Sequence, residues 1–273
     1  MSARLARWAV MALLLLGAFL SLAPMLWMIS ASLMQTGEAT QYPPRLLPRD
    51  PTLEHYRDVF TRLNMGRYLL NSAIIAGTVT AISLFVNSMA GYAFAKLRFR
   101  GRDRLFRVLS AGLVVPVQVA MLPLFLLMRE LGLINSYWGV IIPTLASIFG
   151  IFLVRQYALA IPDDLLDAAR IDGASELRIY RSIVLPVIAP ILATLAIWTF
   201  LTTWNDFMWP LIVLSDESRY TLPVALASLV GEHAQDTELM MAGSVLTVLP
   251  VLLVFVVLQR YYIAGIMLGG VKG

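Results

Sequence analysis

The sequence predicts an all-α integral membrane protein with six transmembrane helices and a cytoplasmic two-helix loop between the fourth and the fifth. Of its 273 residues, 59% are hydrophobic and only 14% are charged, whereas soluble domains carry about 25% charged residues. Six apolar stretches approach or exceed the about 20 residues that a helix needs to cross a bilayer. The basic residues are concentrated in the segments that join these stretches on one side.

We expect the whole chain, 1–273, to form a single transmembrane domain. Its predicted spans lie at about residues 8–30, 68–95, 106–128, 138–156, 185–205 and 241–262. Prolines inside them, such as Pro116 and Pro143, are expected to kink the helices rather than end them. The first stretch is longer than the apolar core of a cleavable signal peptide, so it is expected to be a retained anchor.

The distribution of lysine and arginine fixes the predicted orientation. With both termini in the cytoplasm, the inner segments carry fourteen of the 21 basic residues, and the short segment 96–107 alone holds six. Because cytoplasmic loops are enriched in Lys and Arg, this orientation is the favoured one. On the outer side, residues 31–67 and 216–239 are expected to be connecting segments.

The second span carries a stripe of small residues that predicts close helix packing. The stripe consists of Ala73, Gly77, Ala81, Ser88, Gly91 and Ala95. Small side chains at this spacing let helix backbones approach closely in lipid. Nearby polar residues such as Asn87 are suited to hydrogen bonds between helices, although a ligand path is an alternative interpretation.

Several classes of function find no support in the residues. The chain has no cysteine and no Gly-x-x-x-x-Gly-Lys-Ser/Thr phosphate loop. Its two histidines, His55 and His233, do not form a metal site, and no catalytic triad can be assembled without crossing the membrane. Spans one to four and six lack ionisable residues near their middle, which proton-coupled carriers usually keep. A self-powered transporter is therefore disfavoured, and energy must enter from elsewhere.

The loop between the fourth and fifth spans, residues 162–183, is predicted to form two short helices. Pro162 with Asp163 and Asp164 begins a helix. Gly173 supplies a left-handed stop, and Ser175 caps a second helix that is expected to end before Pro186. The paired alanines Ala168 and Ala169 present a bare surface suited to docking on another protein, whereas an amphipathic hairpin lying on lipid headgroups is the alternative.

Residues 167–186, "DAARIDGASELRIYRSIVLP", resemble the "EAA" signature of permease subunits in ATP-binding-cassette importers. The matching residues are Ala168, Ala169, Asp172, Gly173, Ala174, Ile183, Leu185 and Pro186. The signature's leading Glu is Asp167 here, which shortens its reach. The segments "YPPRLLPRDPTLEHY", "LLNSAIIA", "AGYAFAKLRFRGR", "TTWNDFMWPLIVL" and "QRYYIAGIMLGGVKG" are similar to the carbohydrate-uptake branch, so the resemblance covers nearly the whole chain. It is strongest to the shorter maltose-type permease.

The resemblance implies a membrane machine with several partners. A second homologous permease would complete the pore, two copies of a cytoplasmic ATPase would bind ATP and Mg, and an extracytoplasmic solute-binding protein would deliver the solute. This chain would bind no cofactor, metal or nucleic acid and would lie in the inner membrane, in contact with lipid. The residues implied to couple to the ATPase are Asp167, Ala168, Ala169, Asp172, Gly173, Ala174 and Pro186. A flexible C-terminal tail, with Gly269, Gly270, Lys272 and Gly273, is implied to reach the ATPase interface.

The outer end of the fifth span carries side chains suited to a sugar or to a gate. Trp204 offers an aromatic face, and Asn205 and Asp206 offer an amide and a carboxylate for hydroxyl groups. An aromatic belt at the membrane interface is the alternative interpretation.

Three functions remain open from the sequence. The chain is a permease for a sugar, a permease for a polyol, glycerol phosphate or other small polar solute, or a stand-alone channel or secondary carrier. The first two require an ATPase partner and the third does not.

Overall fold

The computed structural model describes residues 2–43, 45–232 and 236–270, and this part of the chain is helical without strands. Its α-helices are α1 (Ser2–Ala31), α2 (Glu54–Thr61), α3 (Met65–Lys96), α4 (Arg102–Ala111), α5 (Val117–Glu130), α6 (Tyr137–Ile141), α7 (Ile148–Leu159), α8 (Asp163–Ile171), α9 (Glu176–Ile179), α10 (Leu185–Trp204), α11 (Met208–Val213), α12 (Leu222–Glu232) and α13 (Thr237–Gly270). Short 3-10 turns follow α4 and α6 and precede α12, and a π-helical turn joins α9 to α10.

Five of the described helical segments are long and apolar enough to cross a membrane. They are Arg4–Ala31, Met65–Lys96, Tyr137–Leu159, Glu176–Trp204 and Thr237–Val257, and a sixth is obtained if the bent pair formed by α4 and α5 is one span. The all-helical, multi-pass fold predicted from composition is therefore confirmed.

The chain divides into two compact units. The first comprises Met1–Arg67 and Val224–Pro250, and the second comprises Tyr68–Pro223 and Val251–Gly273. In the first unit, Ala31, Met34 and Ala39 form a small buried cluster. In the second unit, one core joins α3, α7, α8 and α10, and another joins α3, α5, α6 and α11. Both sites considered below lie within the second unit.

The third predicted span is not a single kinked helix. Helix α4 ends in a 3-10 turn, and the chain is not helical at Val115 and Pro116. Helix α5 then begins, and the two helical pieces are bent by 107° relative to each other. Val115 is extended, with ψ 119°, as expected for a residue that precedes proline. A non-helical break is compatible with a membrane protein where the break lines a cavity or is covered by protein.

The fourth predicted span is also interrupted, between Thr144 and Ile148. The buried Asn87 of α3 supports this break, since its Oδ1 accepts the backbone N–H of Ser147 at 3.0 Å and its Nδ2 donates to Ser83 at 2.7 Å. An unpaired N–H within a bilayer would cost several kcal/mol. The hydrogen-bonding role expected of Asn87 between helices is therefore confirmed.

Two outer and terminal segments are more regular than the sequence suggested. Residues 222–232, expected to be part of a connecting segment, form helix α12, whose 11 residues are too few to span a bilayer. The tail expected to be flexible from about residue 265 continues α13 as far as Gly270. Gly269 and Gly270 thus end a helix, and Lys272 and Gly273 lie outside the described residues.

Candidate functional site

Helices α8 and α9 form a tight hairpin, which we call the coupling hairpin (residues 162–183). Pro162 is extended and precedes α8, and the carboxylates of Asp163 and Asp164 occupy its positively polarised first turn. Gly173 has φ +79°, a left-handed conformation that glycine adopts readily. Its N–H donates to the carbonyl of Arg170 at 3.0 Å. Ser175 then caps α9 by accepting the N–H of Arg178, so the predicted start, stop and second cap are confirmed.

The second helix of the hairpin was expected to end before Pro186, but it continues through this residue. Segment Glu176–Trp204 is continuous, and Pro186 lies in the first turn of α10. A π-helical turn at Tyr180–Val184 precedes this proline, and within it the N–H of Leu185 donates to the carbonyl of Tyr180. Because the wider turn shifts the backbone pairing just before Pro186, the missing proline N–H does not end the helix.

One face of the coupling hairpin is buried against the membrane helices. Leu166 and Ile179 are each 1% exposed and pack with Val154 and Ala158 of α7 and with Ile188 of α10. Burying a leucine or isoleucine side chain stabilises a fold by about 1.5–3 kcal/mol. The hairpin is therefore attached to the bundle through a continuous apolar core.

The other face is exposed and carries most of the residues that the resemblance implied for ATPase coupling. Asp167, Ala168, Asp172, Gly173 and Pro186 are exposed. Two members of the predicted set, Ala169 and Ala174, are half-buried and pack against the apolar core. Of the paired alanines, Ala168 thus lies in the exposed surface and Ala169 lies beneath it.

Ion pairs hold the two helices of the hairpin together. Arg170 contacts Asp167 at 2.7 Å and Glu176 of α9 at 2.8 Å. These hydrogen bonds, that to Glu176 foremost, raise the pKa of Arg170 above its ordinary value. Asp167 reaches Arg170 from within the same helix, so its shorter side chain is sufficient for this contact. Because these side chains are partly exposed, the pairs orient α8 relative to α9 but add little stability by themselves.

Helix α3 is bonded to the hairpin at three places. The hydroxyl of Tyr92 donates to Glu176 at 2.7 Å, and Ser88 and Tyr180 share a hydrogen bond of 2.6 Å between their hydroxyls. Lys96 donates to the carbonyl of Ile161 at 2.5 Å and pairs with Asp163 at 2.8 Å. The hydrogen bond and charge of Lys96 lower the pKa of Asp163. The hairpin is therefore tied to α3 by side-chain hydrogen bonds and one ion pair.

Sequence reasoning missed three of these contacts. Lys96 was counted only for orientation, Tyr92 was noted only within a family segment, and Glu176 was treated as part of a short helix. The paired residues are far apart in the sequence: Lys96 and Asp163 are separated by 67 positions, and Tyr92 and Glu176 by 84. No local pattern marks such pairs, because their partners are brought together only by helix packing.

A second feature of this unit is a cavity of about 490 Å³ beside the two helix interruptions. Its wall includes Val115 from the first break, Ser147 from the second, and Thr202, Thr203 and Asp206 from the end of α10. Transporter solute sites are commonly built where membrane helices are broken, because free backbone groups and polar side chains meet there. The cavity can offer hydroxyl groups and one carboxylate to a polar solute.

The three residues predicted to meet a solute are not placed together. Trp204 is 2% exposed and stacks on Phe200 with ring centroids 5.6 Å apart. Asn205 is exposed and donates to the carbonyl of Leu201 at 2.8 Å. Asp206 alone of the three lines the cavity, whose wall also includes the aromatic residues Phe149 and Trp198. Of the three predicted residues, only Asp206 can therefore contact a solute in the cavity.

Asp206 is the one charged side chain among the residues that line the cavity. Burial raises its pKa above the ordinary value for aspartate, and hydrogen bonds from the backbone N–H groups of Trp209 and Met208 oppose that rise. Because no Lys or Arg belongs to this lining, the wall offers no countercharge to an anionic solute.

Within the described residues, no group of three or more His, Cys, Asp or Glu side chains could hold a metal ion. His55 is buried, and its Nε2 lies 2.9 Å from the carbonyl oxygen of Met34. His233 lies outside the described residues.

Multiple hydrophobic spans, a cavity at broken helices whose largely apolar wall carries a few hydroxyl groups and one carboxylate, and a hairpin packed on the membrane helices are together features of a membrane transport protein. The family model for the "Binding-protein-dependent transport system inner membrane component" matches residues 84–267. The chain belongs to this family. It is a permease subunit of an ABC transporter and a multi-pass inner membrane protein, and the ATPase of such systems is a separate subunit that binds the ATP.

Three relatives whose names include a solute are similar in sequence to this chain over most of its length. The arabinooligosaccharides transport system permease protein AraQ of Halalkalibacterium halodurans is 40% identical, with 94% of this chain and 93% of the relative covered. The lactose permease protein LacG of Rhizobium radiobacter is 35% identical, with 94% and 93% covered. The sn-glycerol-3-phosphate permease protein UgpE of Pectobacterium atrosepticum is 32% identical, with 93% of each covered.

Among solved structures, one chain of a bacterial ABC transporter involved in the import of the acidic polysaccharide alginate has a closely similar fold. The TM-score is 0.85 at 28% sequence identity, with 96% of this chain and 98% of that chain covered.

Proposed function

We propose that this permease imports a sugar and is driven through its coupling hairpin by a cytoplasmic ATPase. The observation that carries the proposal is the hairpin's construction: its buried face is part of the bundle core, and its opposite face is exposed around Ala168 and Gly173. A surface of this kind can transmit force to the membrane helices, because its buried face is part of their core and Tyr92 of α3 bonds to Glu176.

The hairpin and the termini are proposed to face the cytoplasm. Residues of the basic segment, including Lys96 and Arg98, line the same cleft as Asp163 and Arg170 of the hairpin. The hairpin therefore lies on the side of the most basic loop, which the positive-inside rule assigns to the cytoplasm.

The proposed assembly contains a second homologous permease, two ATPase copies, a solute-binding protein outside the membrane and surrounding lipid. Support comes from the family description, which names a binding-protein-dependent system, and from the similar chain of an ABC transporter for alginate. The residues proposed to meet the ATPase are those of the exposed hairpin face, Asp167, Ala168, Asp172 and Gly173, with the half-buried Ala169 and Ala174 supporting them. Pro186 and the C-terminal residues remain proposed contacts from the resemblance.

The proposed cargo is an uncharged sugar. Two of the similar permeases are named for arabinooligosaccharides and for lactose, and the cavity offers hydroxyl groups and the Asp206 carboxylate but no cation. Glycerol phosphate, which names another relative, is a weaker candidate because a phosphate group beside Asp206 would meet like charge.

Reconstitution of the chain with and without its partners tests this function. In vesicles that contain the permeases, the ATPase and the binding protein, uptake of a neutral oligosaccharide is expected to require ATP. The chain alone is expected to move none. Transport by the chain alone without nucleotide would instead identify a channel or a secondary carrier.

Replacing Asp206 by asparagine tests the cavity. A hydrogen bond to a charged group contributes about 1.5–3 kcal/mol, so ATP-driven uptake of the neutral oligosaccharide is expected to fall by about 10- to 100-fold while the ATPase still co-purifies. The matched control is Asp50→Asn, at an exposed outer position, and it is expected to transport normally. Equal uptake by the Asp206 variant and the control would remove Asp206 from the solute path.

A further inference from the structure

Residues 98–107, which comprise most of the loop between α3 and α4 and the first half of α4, form a strongly basic concave surface outside the coupling hairpin. The surface encloses about 940 Å³ and is lined by five arginines and a single acidic residue: Arg98, Arg100, Arg102, Arg104, Arg107 and Asp103. Gly101, with φ +87°, makes the turn that brings these side chains to one concave face. We call this feature the basic surface.

Most of the positive charge of the basic surface is not neutralised by the protein. Arg102 pairs with Asp103 at 3.1 Å. In contrast, Arg98, Arg100 and Arg104 are exposed and form no ion pair with another residue of the described chain. Three adjacent cations without a countercharge repel one another, and an anionic ligand would relieve that repulsion.

The neighbouring cleft shares Arg98 and Arg102 with the basic surface, but its other two cations are paired within the protein. There, Lys96 pairs with Asp163, and Arg170 pairs with Asp167 and Glu176. The unpaired charge of the basic surface therefore lies on the loop between α3 and α4 and on the start of α4.

Exposed apolar side chains lie directly beside the arginines. Phe99, Leu105 and Val108 are 42%, 55% and 70% exposed, and α4 has no buried residue. A short helix that combines arginines with uncovered apolar side chains is typical of the interface between lipid headgroups and acyl chains. The arginine heads can reach the headgroups while the apolar residues and side-chain stems remain in lipid.

We propose that the basic surface binds the phosphate headgroups of anionic phospholipids in the cytoplasmic leaflet. The inference rests on the proposed orientation but not on the identity of the cargo or on ATPase docking. Lipid is favoured over an acidic protein because the charge lies at the membrane end of α3 and is accompanied by exposed apolar residues. Each basic residue near an anionic membrane contributes about 1 kcal/mol to binding, so several arginines together form a retained lipid site.

The test compares lipid retention by the full-length wild-type chain and by the triple variant Arg98→Gln, Arg100→Gln, Arg104→Gln. Both are purified from nanodiscs of equal phosphatidylglycerol and phosphatidylcholine content, and bound lipid is counted by native mass spectrometry. The wild-type chain is expected to retain phosphatidylglycerol preferentially. The triple variant is expected to bind it about 100-fold more weakly, given the contribution of each arginine.

The charge-matched control carries Arg49→Gln, Arg57→Gln and Arg67→Gln, at three exposed positions of the predicted outer segment. It is expected to retain phosphatidylglycerol like the wild type. Since the chain has no cysteine, a single Asp164→Cys substitution in each background reports the side of the membrane on which the hairpin lies. This labelling separates a lost lipid site from an inverted chain, and an inverted wild type would disprove the orientation.

Any of three lipid-binding results would overturn the proposal. They are equal retention of phosphatidylglycerol by the triple variant and the control, equal retention of both lipids by the wild type, and displacement of the lipid by millimolar inorganic phosphate. The last would identify a site for free phosphate. If the basic surface instead cross-links to a protein subunit in the complete transporter and excludes lipid, its occupant is an acidic protein surface and the proposal is wrong.

Discussion

Replacing Gly173 by proline is expected to abolish co-purification of the ATPase and, with it, solute-dependent ATP hydrolysis. Proline is confined to φ near −65° and has no N–H, whereas Gly173 has φ +79° and donates its N–H to Arg170. Such a substitution costs about 3 kcal/mol or more, so the population of the native turn falls more than about 100-fold. No atom outside the local chain lies within 4 Å of a Cβ at this position, so the effect is one of backbone conformation and not of crowding.

Gly132 provides a closely matched control for Gly173→Pro. It has φ +69°, donates its N–H to the carbonyl of Arg129 at 3.0 Å, and also has open space around its Cβ position. It lies between α5 and α6, on the predicted outer side. Gly132→Pro is expected to keep the ATPase bound. The docking role of the hairpin would be disproved if both variants lost the ATPase equally, or if Gly173→Pro assembled and hydrolysed ATP like the wild type.

The second large effect is expected at Gly91 of α3. A Cβ at Gly91 would lie 2.6 Å from Cγ1 of Val154 and 3.0 Å from the backbone nitrogen of Arg155. Because backbone cannot yield as a flexible side chain does, Gly91→Ala is expected to cost about 1–3 kcal/mol. A melting temperature measured in detergent should fall by about 2–4 °C for each kcal/mol lost.

The control for Gly91 lies on the same helix. No atom outside the local helix lies within 4 Å of a Cβ at Gly77, so Gly77→Ala is expected to raise stability by about 0.5–1 kcal/mol through the lower entropy of the unfolded chain. The two glycine-to-alanine changes are thus predicted to act in opposite directions. If both raised the melting temperature, the close approach of α3 to α7 would be wrong.

These glycines also show how far the small-residue stripe could be interpreted from the sequence. Ser88, Gly91 and Ala95 are buried, as predicted for packing, but Ala73, Gly77 and Ala81 are exposed in the single chain. The spacing predicts that a face is suited to close contact. It cannot tell whether the contact lies within the chain, because that depends on where the neighbouring helices are placed.

The start of α8, the turn at Gly173 and the cap of α9 depend on local chemistry, and for this reason they were predictable from the sequence. Proline with aspartates, a glycine and a capping serine each act within one helical turn. The continuation through Pro186 was not predictable in the same way, since a π-helical turn depends on the packing of Tyr180 and Val184 in the core. Similarly, Pro116 is compatible with either a kink or a complete break, and the tertiary contacts decide between them.

The residues expected to contact a solute were chosen for their chemical type, but the structure places their side chains apart. Trp204, Asn205 and Asp206 are consecutive, but consecutive positions at a helix end point in different directions, about 100° apart on an α-helix. One side chain is buried, one is exposed and one lines the cavity. The carboxylate was therefore identified from the sequence, whereas its separation from Trp204 required the structure.

The unbroken helical segment from Glu176 to Trp204 has a mechanical consequence. Its 29 residues extend over about 42 Å, with one end in the coupling hairpin and the other at the wall of the cavity. If the hairpin is moved as proposed, a tilt of this segment by a few degrees about its hairpin end would displace Thr202 and Thr203 at the other end by several ångströms. Opening of the cavity would then need no relay of side chains, and bending at Pro190 and at the π-helical turn would set how much of the hairpin's movement reaches the cavity.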